Sequence, residues 1–261
     1  MFIVIRFLIY TLPLVVFSFF YAIRTWPHQL AVAGSIMFVY LLFVAWYIVR
    51  NSVRKQSDDM TWRELLNYLI TPSFLLFGAS AFMVFINDIL AYRLFAVGVA
   101  LILFLFLENV FIYLYYPHKY VLSSLENVSA YSNLLSAFFV NSAYYGLSVF
   151  LHIQSKWLFA GVFVINMILF LQTILINKLK LKNTWLAFLL VAVLLGEMVW
   201  VLQYLPWSFL VKGAVLATSY YLLSNMFRYY FLQSLNKTVL YRHLLISGGM
   251  VVAILLTAKW L

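Results

Sequence analysis

Nine apolar stretches divide this chain of 261 residues, each close to twenty residues long, and the short segments between them hold nearly all of its charge. At about 1.5 Å of rise per helical residue, a run of about twenty residues matches the hydrocarbon thickness of a bilayer. Hydrophobic residues make up 66% of the chain and charged residues only 9%, more apolar side chain than a water-soluble domain of this length can hide. The sequence therefore predicts an all-α, polytopic transmembrane helix bundle, a single integral membrane domain over residues 1–261. The spans fall at about 2–22, 30–49, 65–86, 94–116, 125–151, 157–177, 185–204, 212–235 and 243–259.

The connections support these limits. The longest polar segment, Arg50 to Glu64, is too short to build its own core. Pro27, Pro117 and Pro206 lie just outside spans, where a missing amide donor does no harm. Seven of the eight tryptophans fall near span ends, as interfacial rings do, and only Trp200 sits well inside one. The first run carries Arg6 early and has no small-residue cleavage site before Arg24, so it reads as a retained span rather than a signal peptide.

Orientation follows from lysine and arginine in the short loops. Segments after even-numbered spans carry Arg50, Arg54, Lys55, Arg63, Lys119, Lys178, Lys180, Lys182, Lys237 and Arg242; those after odd-numbered spans carry Arg24, Arg93, Lys156 and Lys212. This asymmetry predicts a cytoplasmic N-terminus and an external C-terminus. Span 9 is the weakest element, being short and interrupted by Ser247-Gly248-Gly249.

Two helix starts have a capping-box pattern, Thr61-Trp62-Arg63-Glu64 and Ser123-Ser124-Leu125-Glu126. The first opens either a short interfacial helix over 61–70, ahead of Pro72, or an N-terminal extension of span 3. Pro13 should bend span 1. No internal repeat is evident.

Charge inside a span is expensive and marks a pair, a water-lined surface or a functional group. Three residues qualify: Glu108 in span 4, Glu197 in span 7 and Arg228 in span 8. Glu108 and Arg228 fall at similar predicted depth, and Arg228 shares a helical face with Tyr221, Ser224 and Asn225. Three readings stand: a buried Glu108–Arg228 ion pair, snorkelling of Arg228 to the cytoplasmic headgroups, or a substrate-facing role. Glu197 belongs to the outer half. It is either a neutral carboxyl bonded to Asn166, Asn141 or a tyrosine, or a proton- or cation-coupled group. Span 5 is the most polar, with Ser129, Asn133, Ser136, Ala137, Tyr144 and Ser148 on one broad face. Small and hydroxylated residues let helices approach closely, so this face should point inward, for packing or to line a polar cavity.

Catalytic signatures are absent: no HExxH, no GxSxG, no intramembrane aspartate pair and no glycine-rich phosphate loop. The histidines at 28, 118, 152 and 243 sit at predicted helix ends without a second ligand at useful spacing, and there are no cysteines. No metal, cofactor or catalytic residue is therefore expected. The net charge of +10 would suggest nucleic acid in a soluble protein. Here the basic residues flank spans, which points to the bilayer, to anionic headgroups at the cytoplasmic face and to a membrane-protein partner instead.

The run Glu108-Asn109-Val110-Phe111-Ile112-Tyr113, the polar span after it and the ending Leu256-Thr257-Ala258-Lys259-Trp260 resemble a family of multi-spanning bacterial membrane proteins classed only as a domain of unknown function. The resemblance covers about residues 70–261. It implies a bacterial inner-membrane protein and brings no activity, substrate or catalytic residue with it. The residues favour a non-enzymatic membrane scaffold or subunit. A small transporter is the alternative, with Glu197, Asn141 and Asn166 around a midplane cavity and Glu108–Arg228 as a latch. An enzyme acting on a lipid-linked substrate comes third, with Asp58-Asp59-Arg63-Glu64 as its only candidate cluster.

Overall fold

The computed structural model describes residues 2–25, 30–50, 62–121, 124–177, 179 and 181–258. Among these residues there are nine α-helices: α1 (Phe2–Thr25), α2 (Leu30–Arg50), α3 (Trp62–Met83), α4 (Ile89–Tyr115), α5 (Ser124–Leu151), α6 (Ser155–Ile176), α7 (Leu181–Tyr204), α8 (Phe209–Phe231) and α9 (Lys237–Thr257). One 3-10 turn, Pro117–Lys119, follows α4. His28, Asp58, Asp59, Thr61 and Ser123 lie outside the described residues, as do the side chains of Arg63 and Glu64. The acidic cluster and the first residue of each capping box thus fall outside them.

Six helices hold a stretch long and apolar enough to cross a membrane: Ile3–Thr25, Ile89–Tyr115, Ser124–Leu151, Ser155–Ile176, Trp185–Tyr204 and Lys237–Thr257. Shorter apolar segments occupy Val32–Ile48 in α2 and Tyr68–Met83 in α3. The remaining helix, α8, carries Lys212, Thr218, Ser219, Ser224, Asn225 and Arg228. It tolerates them because neighbours screen it: from residue 211 to residue 229 none is exposed. A helix walled in by protein needs less apolar surface than one facing lipid.

Helix ends depart from the predicted limits where a cap sets them. Asp88 accepts the Ala91 N–H at 2.7 Å and starts α4 five residues before the predicted span. Asn236 accepts the Val239 N–H at 2.8 Å and extends α9 beyond the apolar run at its N-terminal end. Trp62–Met83 is one helix with Pro72 inside it, so residues 62–70 extend the third span's helix. In α1, which contains Pro13, the turn before the proline is supported by side chains. Thr11 donates to Phe7 O at 3.0 Å, and the Tyr40 hydroxyl reaches Leu8 O at 3.3 Å.

The chain divides into two compact units, 1–132 and 133–261, with the boundary inside α5. In the first, α1 packs on α2 and α4, and α3 packs on α2 and α4. Tyrosines bolt these helices together through backbone carbonyls: Tyr92 donates to Phe20 O at 2.6 Å and Tyr115 to Ile48 O at 2.7 Å. Each bond gives a buried hydroxyl the partner it needs away from water. Thr71 on α3 meets Ser129 on α5 at 3.3 Å.

In the second unit α6, α7 and α8 pack on one another, and α9 packs on α8. The only buried residues of α9 are His243 and Ser247, both polar and one turn apart. The rest of that helix exposes a large apolar surface, including Leu245, Val252 and Leu256. This inside-out pattern is workable only with hydrocarbon as the surrounding solvent.

Candidate functional site

The polar interior of the second unit is built on α5. Asn133, Ser136, Asn141 and Ser142 are all buried, and each of the asparagines finds a partner on α6. Asn141 and Asn166 form a reciprocal pair: the Asn141 amide donates to Asn166 Oδ1 at 3.1 Å, and the Asn166 amide returns a bond to Asn141 Oδ1 at 2.9 Å. Asn166 also donates to Val162 O at 2.7 Å, which fixes its rotamer on its own helix. Two turns toward the other end of α5, the Asn133 amide donates to Gln172 Oε1. Thr173, next on α6, lies 3.0 Å from the Tyr220 hydroxyl of α8, which itself donates to Leu169 O at 3.0 Å.

Close backbone approach completes this core. A Cβ built on Gly213 of α8 would lie 2.7 Å from the backbone nitrogen of Ser142. Only glycine lets α8 press its main chain onto α5 there. On α7, Val199 O accepts the Tyr145 hydroxyl at 3.5 Å, so α5 touches all three neighbours. Ser129, Asn133, Ser136 and Ala137 of the predicted inward face are buried, while Tyr144 and Ser148 are half-buried.

Arg228 is buried in the last turn of α8, in a small hollow lined by Phe170, Thr173 and Phe231. The residues predicted to share its face lie beside it. Ser224 and Asn225 both turn back to Tyr221 O, at 3.1 and 2.9 Å, satisfying themselves within the helix. Glu108 is half-buried in α4 and belongs to the first unit, whereas Arg228 belongs to the second. Among the described residues Glu108 Oε2 has no hydrogen-bond partner.

Glu197 does not join Asn141 and Asn166. It is exposed on α7, in a wide groove of about 600 Å³ between α6 and α7. The walls are Phe159, Phe163, Ala192, Gly196 and Trp200, with Phe159 edge-on to Trp200 at 6.2 Å. Trp200, the tryptophan that departs from the interfacial pattern, is thus a wall of this groove.

Several members of the polar set were not singled out in the sequence. Gln172 and Thr173 lie six and seven residues after Asn166, and the latter spacing places two polar groups on one side of α6, which was the available signal. His243 reads as a helix-end residue, yet it is buried against α8 with its Nδ1 3.1 Å from the Tyr221 hydroxyl. Its Nε2 and the Ser247 hydroxyl have no hydrogen-bond partner among the described residues.

Helices of this length and apolarity, with hydrogen-bonding capacity turned inward and hydrocarbon side chains outward, define a multi-span integral membrane protein. The chain belongs to the family described as "Protein of unknown function (DUF5656)", whose profile matches residues 33–257. The match starts in α2, well before residue 70 where the resemblance in sequence begins, and it ends with α9. No curated protein and no solved structure matches the chain significantly.

Proposed function

We propose that this protein is a non-enzymatic scaffold or subunit of a bacterial inner membrane, with its N-terminus in the cytoplasm and its C-terminus outside. The observation that carries the reading is the reciprocal Asn141–Asn166 pair. In a transporter with a midplane cavity, these amides would face water or cargo. Here they spend their capacity on each other, both fully buried, and the α5–α6 seam around them is held by further side-chain bonds. The groove between α6 and α7 opens sideways with apolar walls, a shape suited to hydrocarbon or a neighbouring helix.

The chain has no cysteine, so single cysteines report accessibility without background. Asn141→Cys and Asn166→Cys should resist a membrane-impermeant maleimide in intact and in permeabilised vesicles, while Glu197→Cys should react only with a lipid-soluble maleimide. Labelling of both asparagine positions by the impermeant reagent would establish a water-filled path and replace the scaffold with a transporter.

A further inference from the structure

The ends of α1 and α4 form a second, chemically distinct hollow in the first unit. The two helices run antiparallel: Tyr92 near the start of α4 bonds Phe20 near the end of α1, while Arg6 near the start of α1 lies 5.8 Å from the Tyr116 ring beyond the end of α4. At the Tyr92 end they enclose a groove of about 300 Å³. Its upper part carries two guanidinium groups, Arg24 and Arg93, and its lower part is apolar, with Phe17 and Ala96.

Arg24 is held in place rather than free to wander. Its guanidinium lies over the Tyr92 ring at 4.6 Å and donates one bond to Asn87 O at 3.4 Å. Tyr92 is itself fixed by its bond to Phe20 O. A guanidinium has five donors, so among the described residues four of Arg24 and all of Arg93 remain available. Neither arginine has a carboxylate partner among the described residues. Asp88, the nearest carboxylate in sequence, accepts the Ala91 N–H at the start of α4. The Thr25 hydroxyl is turned to Tyr21 O and Ala22 O, so the charged donors in the groove are the two arginines, with the Tyr21 hydroxyl beside them.

We infer that this groove is a binding site for an anionic phospholipid, with its phosphate between Arg24 and Arg93 and one acyl chain descending past Phe17 and Ala96. Arginine matches the geometry of phosphate oxygens through paired N–H donors. Phe17 lies seven residues, roughly 10 Å, below Arg24 along the helix, the direction in which a lipid passes from headgroup to hydrocarbon. A lone inorganic anion would leave that apolar floor unused. A zwitterionic lipid would bring an ammonium toward two cations. Under the proposed orientation the site lies at the external face, opposite the lysine- and arginine-rich loops.

The test uses the full chain in detergent, with bound lipid counted by native mass spectrometry and affinity taken from titration. The probes are phosphatidylglycerol, phosphatidylcholine and inorganic phosphate. Phosphatidylglycerol should bind the parent protein and be retained about ten- to thirtyfold less well by Arg24→Gln/Arg93→Gln, since each basic group near a membrane surface contributes about a factor of five. Arg93→Gln alone should give about half of that effect on a logarithmic scale. This exposed side chain has no hydrogen bond, ion pair or ring contact among the described residues, so its loss tests the site even where the double variant folds poorly. Lys119→Gln, at the other end of α4, should leave binding unchanged. Equal retention by parent and Arg93→Gln, or an equal loss with Lys119→Gln, would overturn the site. Inorganic phosphate binding as tightly as the lipid would overturn its assignment to a lipid.

Discussion

Asn141 and Asn166 face each other across α5 and α6 with both side-chain amides paired, 3.1 Å in one direction and 2.9 Å in the other. Side-chain hydrogen bonds between membrane helices contribute about 0.6 kcal/mol on average and up to about 1.7 kcal/mol. Asn141→Ala or Asn166→Ala breaks two and strands the partner, so each should destabilise by about 1 to 2 kcal/mol. The double variant should lose less than the sum of the singles, by about 1 kcal/mol. Reversible unfolding in mixed micelles measures this, and strict additivity would show that the two amides do not act together.

Gly213 sets the distance between α5 and α8. In Gly213→Ala the new methyl would meet the Ser142 backbone, which cannot swing aside, so we expect a loss of about 1 to 3 kcal/mol from overpacking. Gly161→Ala meets only the Tyr144 ring and its hydroxyl, the movable end of a side chain, and should do less harm. Gly98→Ala has nothing within 4 Å of the new atom and should stay within about 0.5 kcal/mol of the parent. Thermal unfolding of the three variants in one detergent ranks them.

Tyr120, between α4 and α5, gives the fold an alkaline limit. Burial and then the hydrogen bond it donates to Glu126 Oε2 at 2.7 Å push its hydroxyl up to about 12. The folded state therefore favours the neutral phenol. The associated stability is complete below about pH 10, where the unfolded side chain is still protonated, and is lost as pH rises from there toward 12. Between pH 9 and pH 12 the melting temperature of the parent should fall more steeply than that of Tyr120→Phe. Parallel curves would remove Tyr120 from the account.

The sequence conveys the number and type of helices well because length and apolarity are both written locally. Leu30–Arg50 and Ser124–Leu151 match their predicted limits to within a residue. It conveys ends poorly where a helix outlasts the hydrocarbon, as in α9, since a polar turn past the membrane is still helical once Asn236 caps it. Two other ends give no signal at all. His152 and Gln233 terminate α5 and α8 in the left-handed region, at φ 50° and 53°, where glycine or asparagine is the usual marker. The polar positions of α5 were legible as a group, but their partners were not. Pairing depends on which helices become neighbours, and a chain with no repeat and a few short loops does not encode that adjacency in any local pattern. Glu197 illustrates the difference: depth and residue type alone suggest an interior carboxyl, while rotation of α7 turns it outward.

His243 and Ser247 are the sole buried residues of α9, and that sets this helix apart from the others of its unit. Lipid alone can dissolve nearly its whole girth, so burial of hydrocarbon supplies little drive to hold it against α8. Its attachment to α8 then leans on a polar and aromatic cluster, where Tyr221 and Tyr229 both meet the His243 ring, rather than on a greasy seam. Losing the His243 imidazole should therefore loosen α9 from α8 far more than trimming any of its outward-facing leucines.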